Sequence, residues 1–390
     1  MSRTVSKVET FIVTVPRDTP YLGPLGSGER INERGYVVRK GNGTIYPTVD
    51  RSIAVRMTCT DGSEGWGETY GICAPRATCE IINDLLVPEV LGRNPEDVEQ
   101  IWDELYGLMR VRGCTSGFHV DAITALDIAL WDLRARGHGV PLWQMLGERR
   151  REHVPGYLSG LPAATLEGRV EMARQFQDEG HDAFKIHAVV SSEGIVEEVA
   201  ALRRALGDDA LLMVDLHWKF SRHDALAMAE RLAPYDPYFI EAPVKPEDIT
   251  GLAWLAARSP VPVAAGEEWY TAYEAKLRLE PPSVRYIQPE MGHTGITQFR
   301  RINALAEAAG VQMAPHATIG AGLFLAASLH ASVTVPSLWR HEWQHSVFSR
   351  SLALLDTDMA YADRSYQLPT GPGLGAQPGA RFWEYAEQVD

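Results

Sequence analysis

The chain has 390 residues, 45% of them hydrophobic, and a formal net charge of −14, enough apolar material for two domains or one large domain with an appendage. The acidic surplus, with no basic block or arginine-rich helix, argues against a nucleic-acid backbone as partner, and no apolar run approaches the ~20 residues of a membrane helix. Cys59, Cys73, Cys79 and Cys114 have no CxxC spacing, and the first residues lack the apolar core of a secretory signal, so reduced thiols and a cytoplasmic location are expected.

In chain order, "VSKVETFIVTV" and "SIAVRMTCTDGSEGWGE" read as an antiparallel meander with a turn at Asp61-Gly62, and helices are predicted near residues 78–90, 96–110 and 119–137. This is an α+β domain ahead of the rest. Between its strands lies "YLGPLGSGERINERGYVVRKGNG", residues 21–43, glycine-rich and without periodicity, either a lid or a disordered insertion.

From Val154 onward, eight apolar runs are predicted as strands: 154–160, 183–189, 211–217, 238–244, 261–267, 284–290, 311–317 and 337–343. Their starts lie 23 to 29 residues apart, the size of one βα unit, and segments such as "EEVAALRRALG" between them carry helical apolar faces. Eight successive βα units favour a (β/α)8 barrel over a doubly wound open sheet, because closure leaves no edge strand and no GxGxxG turn follows an early strand.

Asp215 in "MVDLH", Glu241 in "FIEAP" and Glu267 in "AAGEE" end three consecutive strands, with spacings of 26 and 26 residues. In a barrel these ends converge on the mouth, where active sites are found. Converging carboxylates repel one another unless they are protonated or hold a cation, and oxygen-only ligands suit Mg²⁺. A single such acid would more simply cap the next helix, but three in register favour the metal. Glu267 is preferred to Glu268 because it directly follows Gly266.

Of twelve histidines, His187, His217 and His316 fall at strand ends, and the other nine are assigned packed or solvated roles. Strand alternation puts His217 on the same face as Asp215, and Lys185 on the same face as His187. His316 ends the seventh strand and Glu290 the sixth; a carboxylate on a neighbouring strand raises the basicity of a histidine, the pairing used in general-base catalysis. His217 as a fourth metal ligand remains an alternative, disfavoured by the preference of Mg²⁺ for oxygen.

The ordered motifs "FKIH", "VDLH", "FIEAP", "AAGEE", "IQPEMGHTGI", "MAPHATIG" and "HEWQ", with "EGWGETYG" and "AITALDIALWDLRARGHGVPLWQMLG" before them, resemble the enolase superfamily in its mandelate racemase-like subgroup. The resemblance covers nearly the whole chain. It implies an α+β capping domain over 1–125, a modified (β/α)8 barrel over 126–350 and a C-terminal segment, 351–390, that returns to the capping domain. It also implies Mg²⁺ held by Asp215, Glu241 and Glu267, removal of the proton α to a substrate carboxylate, and a homo-oligomer; enolase-type sites are known to pair a Lys or His base with Mg²⁺.

"VDLH" resembles the sugar-acid dehydratases of the galactonate and mannonate type, which implies His217 as general acid, His316 paired with Glu290 as base, and Glu342 in "RHEW" as a partner of the substrate carboxylate that is protonated or shares a proton. Two departures stand out: Glu290 replaces the usual Asp, and Lys185-x-His187 replaces Lys-x-Lys. The expected reaction is dehydration of an aldonic or aldaric sugar acid to a 2-keto-3-deoxy acid. The alternative is a racemase, epimerase or cycloisomerase using His187 and His316 on opposite faces, and a third class is a silent barrel that only binds a ligand. Specificity is expected in the lid and in Trp218 and Lys219.

Overall fold

The computed structural model describes residues 3–18, 23–191, 193–317 and 320–389. Val5–Val15, Asp50–Cys59 and Glu64–Tyr70 form the predicted antiparallel meander. Its turn places Gly62 at φ 82°, with the Gly62 amide donating to the Cys59 carbonyl at 2.9 Å. Ala386–Val389 adds a fourth strand beside Val5–Val15, so the chain's last segment closes this sheet.

One face of the sheet is covered by helix Phe118–Gly137, buried along nearly its whole length and continuous through residue 125. The contact is close: a Cβ on Gly67 would lie 1.9 Å from the Ala125 carbonyl, so only glycine admits the helix there. Helix Val98–Arg110 and the helical run Pro75–Val90, with a π-helical stretch at Ile81–Leu86, complete the domain near the predicted positions.

Eight parallel strands follow, each within a predicted run: Val154–Ser159, Ala183–His187, Leu211–Asp215, Phe239–Glu241, Val263–Ala265, Tyr286–Ile287, Gln312–Met313 and His341–Trp343. Each of the first seven pairs with the next along the chain, the seventh reaching the eighth through the Met313↔Leu338 bridge. Pairing of His341–Trp343 with Val154–Ser159 closes the barrel. Its floor is a plug of Tyr157, Met213, Phe239, Tyr286 and small alanines, capped by Trp339.

The capping domain is held to the barrel by buried carboxylates. Glu68, on the third strand of the cap, accepts the backbone amides of Ala321, Gly322, Leu323 and Phe324 at the start of helix Leu323–Ser332. A carboxylate facing the unsatisfied amides of a helix N-terminus is favoured by both hydrogen bonding and the helix dipole. Among the described residues no helix is long and apolar enough to cross a membrane.

Candidate active site

The three acids in register end their strands without capping helices. The helices that follow Asp215, Glu241 and Glu267 are capped by Ser221, Asp248 and Thr271 instead. Asp215 and Glu267 line the cavity at the barrel mouth, while Glu241 does not line it and faces Lys185. Glu241, Glu267 and His316 bring ligand atoms within 4.8 Å of one another, as do His187, Asp215 and His217. Glu268 turns aside, one oxygen accepting the Trp269 indole N–H at 2.9 Å.

Lys185 is fully buried, and its Nζ lies 2.9 Å from both Glu241 oxygens and 2.9 Å from Glu342 Oε1. Neither Lys185 nor Glu342 lines the main cavity. Burial alone would raise the Glu342 carboxyl, but Lys185 and His316 draw it down, to about 2. Burial pushes Glu241 in the other direction, up to about 8, with Asp215, Glu267 and Glu342 overcoming Lys185.

His316 lies past the end of the seventh strand. Its Nδ1 is 2.6 Å from Glu290 Oε2 and its Nε2 is 2.8 Å from Glu267 Oε2, with Glu342 Oε2 at 3.5 Å. The extra methylene of Glu290 does not prevent the pairing. Its other oxygen accepts the Gly292 amide at 2.8 Å, so the longer side chain spans both the helix start and the histidine. Burial alone would lower His316, but the facing carboxylates of Glu267 and Glu342 raise it well above its ordinary value.

On the opposite side of the mouth, Asp215 Oδ2 is shared by His187 Nδ1 at 3.2 Å and His217 Nε2 at 3.0 Å, the two rings 5.3 Å apart. The second nitrogen of His187 meets Ser159 Oγ at 3.1 Å. Burial would raise Asp215, yet His217 and His187 hold it well below the usual carboxylate range. Burial lowers His217 against the pull of Asp215, leaving the ring neutral near pH 7.

Strand alternation is not what aims His217. The strand ends at Asp215, and His217 and Trp218 both adopt left-handed backbone, φ 48° and 52°. The Trp218 amide donates to the Ala242 carbonyl at 2.6 Å, and Ala242 itself stands at φ 44°. Non-glycine residues pay about 1 kcal/mol or more each for this conformation, which the surrounding structure must impose.

The cavity above these groups measures about 400 Å³ and is roofed by Thr44, Ile45 and Tyr46 of the cap. These belong to a hairpin, Tyr36–Val38 with Ile45–Pro47, so the predicted insertion is folded from residue 23 on, while residues 21 and 22 lie outside the described set. Arg39 ties it down, Nη1 lying 2.9 Å from Glu29 Oε2 and 2.9 Å from the Pro24 carbonyl. Gly41 lets it touch the barrel, where a Cβ would come within 2.9 Å of Val189. Trp218 lines the cavity; Lys219 does not, its Nζ lying 5.8 Å over Phe220.

Among the histidines that line the cavity, His293 was expected from sequence to be only packed or solvated. His293 pairs with Asp121 at 2.6 Å, and the signal available was its position one turn beyond Glu290 at a helix start.

Comparison with known proteins agrees with this geometry. Residues 46–147 match the family described as mandelate racemase / muconate lactonizing enzyme, N-terminal domain, and residues 168–381 match the enolase C-terminal domain-like family. The D-galactarolactone cycloisomerase of Agrobacterium fabrum is 31% identical over 341 residues, covering 83% of this chain and 88% of that protein. The D-galactonate dehydratase of Ralstonia pickettii is 30% identical over 351 residues, covering 85% and 90%. Among solved structures, a member of the enolase superfamily from Agrobacterium tumefaciens superposes with a TM-score of 0.97 at 48% identity over 100% of both chains. A racemase from Streptomyces coelicolor with bound magnesium gives 0.83 at 27% identity, over 98% of this chain and 100% of that one. A capped barrel whose two domains match these two families, with acids at three successive strand ends, is an enzyme that belongs to the enolase superfamily, within its mandelate racemase / muconate lactonizing branch.

Proposed function

We propose that the protein is a Mg²⁺-dependent dehydratase of an aldonic or aldaric sugar acid, giving a 2-keto-3-deoxy acid. The observation that carries this is the placement of imidazoles on two sides of one group of carboxylates: His316 with Glu290 on one side, His217 with His187 on the other. The dehydratases among its relatives support the reading.

The donor set fits Mg²⁺. Asp215, Glu241 and Glu267 offer oxygen only, and the burial and neighbouring carboxylates that raise Glu241 to about 8 disfavour an unpaired charge that a divalent cation would offset. When bound, the ion would stabilise the negative charge that develops on the substrate carboxylate as the α-proton leaves. His316 takes that proton at Nε2, with Glu290 holding Nδ1 in place. His217, across the mouth, delivers a proton to the departing β-hydroxyl. Lys185 keeps Glu241 and Glu342 together beneath the site, and His187 holds Asp215 in position. Free cysteines fit a cytoplasmic setting.

A second reading is favoured by the 31% identical cycloisomerase: the same proton abstraction serving a racemase, epimerase or cycloisomerase. Incubation with a stereochemically complete set of sugar acids and Mg²⁺ decides between them. A semicarbazide-reactive keto acid supports dehydration. Exchange of the α-proton with deuterated solvent and no keto acid from any member would refute it in favour of the second reading.

A further inference from the structure

The acid–base residues above leave one dyad of the cavity unused. His293 stands near the start of helix Met291–Ala309, and its Nδ1 lies 2.6 Å from Oδ1 of Asp121, a buried residue in the first turn of helix Phe118–Gly137. The imidazole is stacked on Tyr70, centroids 4.0 Å apart and planes within 7°, and Tyr270 closes on it at 4.5 Å. Asp121 accepts the hydrogen bond from Nδ1–H. That fixes the ring's orientation and leaves Nε2, which has no hydrogen bond to any described residue, as the polar atom of a side chain lining the cavity. Neither member of the dyad touches Asp215, Glu241 or Glu267.

Resting on the sugar-acid reading, we propose that His293, oriented by Asp121, hydrogen-bonds an uncharged oxygen at the far end of the substrate, so that the site takes aldonic acids in preference to aldaric acids. A second carboxylate at that end would need a cation to replace its hydration. No lysine or arginine is among the described residues that line the cavity, and the residues outside the described set include none. Asp121 already balances whatever charge His293 carries, because burial alone would lower the imidazole and Asp121 raises it. Ile45, Ile72 and Phe118 make the neighbouring wall apolar. Arg17 borders an adjoining cleft that shares His187, but its guanidinium is held by Asp50 at 2.5 Å. The dyad therefore suits a hydroxyl, which can donate to or accept from Nε2, better than an anion.

Calorimetric titration of the Mg²⁺-loaded protein tests this with gluconate and galactonate, with glucarate and galactarate, and with glycerate, which lacks the distal carbons. At least one aldonate is expected to bind about tenfold more tightly than its aldarate, the worth of one well-made hydrogen bond. His293→Ala should abolish that advantage and leave glycerate binding unchanged, while His293→Gln, whose amide reaches the place of Nε2, recovers part of it. In ¹⁵N spectra of the wild type, the His293 Nε2 resonance should move with the aldonate and stay with glycerate. An aldarate bound as tightly as every aldonate overturns the proposal, as does binding of none of the acids. An equal loss for aldonate and glycerate in His293→Ala also overturns it, because that is a structural effect. Intact, His293-dependent aldonate binding with no keto acid would sink the dehydratase reading and leave this one standing.

Discussion

The two sides of the barrel mouth use the same side chain in opposite surroundings. On one side a single carboxylate, Asp215, serves two imidazoles, and His217 keeps a buried Nδ1 without a partner among the described residues. On the other side a single imidazole, His316, is faced by Glu267, Glu290 and Glu342. Burial is common to both histidines, so the number of facing carboxylates decides the outcome: His217 is lowered and His316 raised. Without a bound cation, the proton therefore rests on the residue proposed as base and is missing from the residue proposed as acid. Dehydration needs that distribution reversed, and a divalent cation on Glu267 would compete directly with the His316 proton.

The largest effect should come from removing one histidine at a time. His316→Asn is expected to lower both α-proton exchange in deuterated solvent and keto-acid formation by about 10³-fold, the scale of a lost general base. His217→Asn should lower keto-acid formation by about 10²-fold and leave exchange within a few-fold of wild type. Elimination that survives His217→Asn would collapse the two sides into one. His316, cationic once it has taken the α-proton, would then deliver that proton to the leaving hydroxyl on the same face.

A smaller effect follows from the carboxylates. Burial raises Glu241 to about 8 and the facing carboxylates raise His316, so metal binding is expected to release protons. The sign is fixed: Mg²⁺ affinity strengthens as pH rises, about tenfold per unit for each proton displaced, and levels off above about pH 8. Calorimetry in buffers of different ionisation enthalpy counts the protons. An affinity flat between pH 6 and 8 would mean that the metal displaces a proton from neither Glu241 nor His316.

The positions of the strand-end acids and of His316 were legible because βα periodicity carries them: Asp215 and Glu241 end their strands, and Glu267, Glu290 and His316 follow theirs within three residues, where the apolar runs place them. What periodicity could not supply is the path of the chain beyond the strand. His217 reaches the mouth through two left-handed residues that no pattern announces. The pairing of Glu342 with Lys185, which lies 157 residues earlier in sequence and 2.9 Å away in space, had no local pattern either. The pairing of His293 with Asp121 spans 172 residues and joins the two domains, so it had no local signature.

The smallest effect should come from His187, and it bears on why the second strand carries histidine where relatives of this type carry lysine. Both of its ring nitrogens are engaged, Nδ1 by Asp215 at 3.2 Å and Nε2 by Ser159 at 3.1 Å. The Ser159 hydroxyl also faces Glu342, so the ring is held between Asp215 and Ser159 as a support for the Asp215 carboxylate. His187→Ala should therefore weaken Mg²⁺ by about tenfold through the loosened Asp215 carboxylate, since partners of metal ligands typically matter at that scale. Turnover at saturating metal should stay within about threefold of wild type. A loss of turnover at saturating Mg²⁺ comparable to that in His316→Asn would instead give the mouth two catalytic histidines on facing strands, as the racemase or epimerase reading requires.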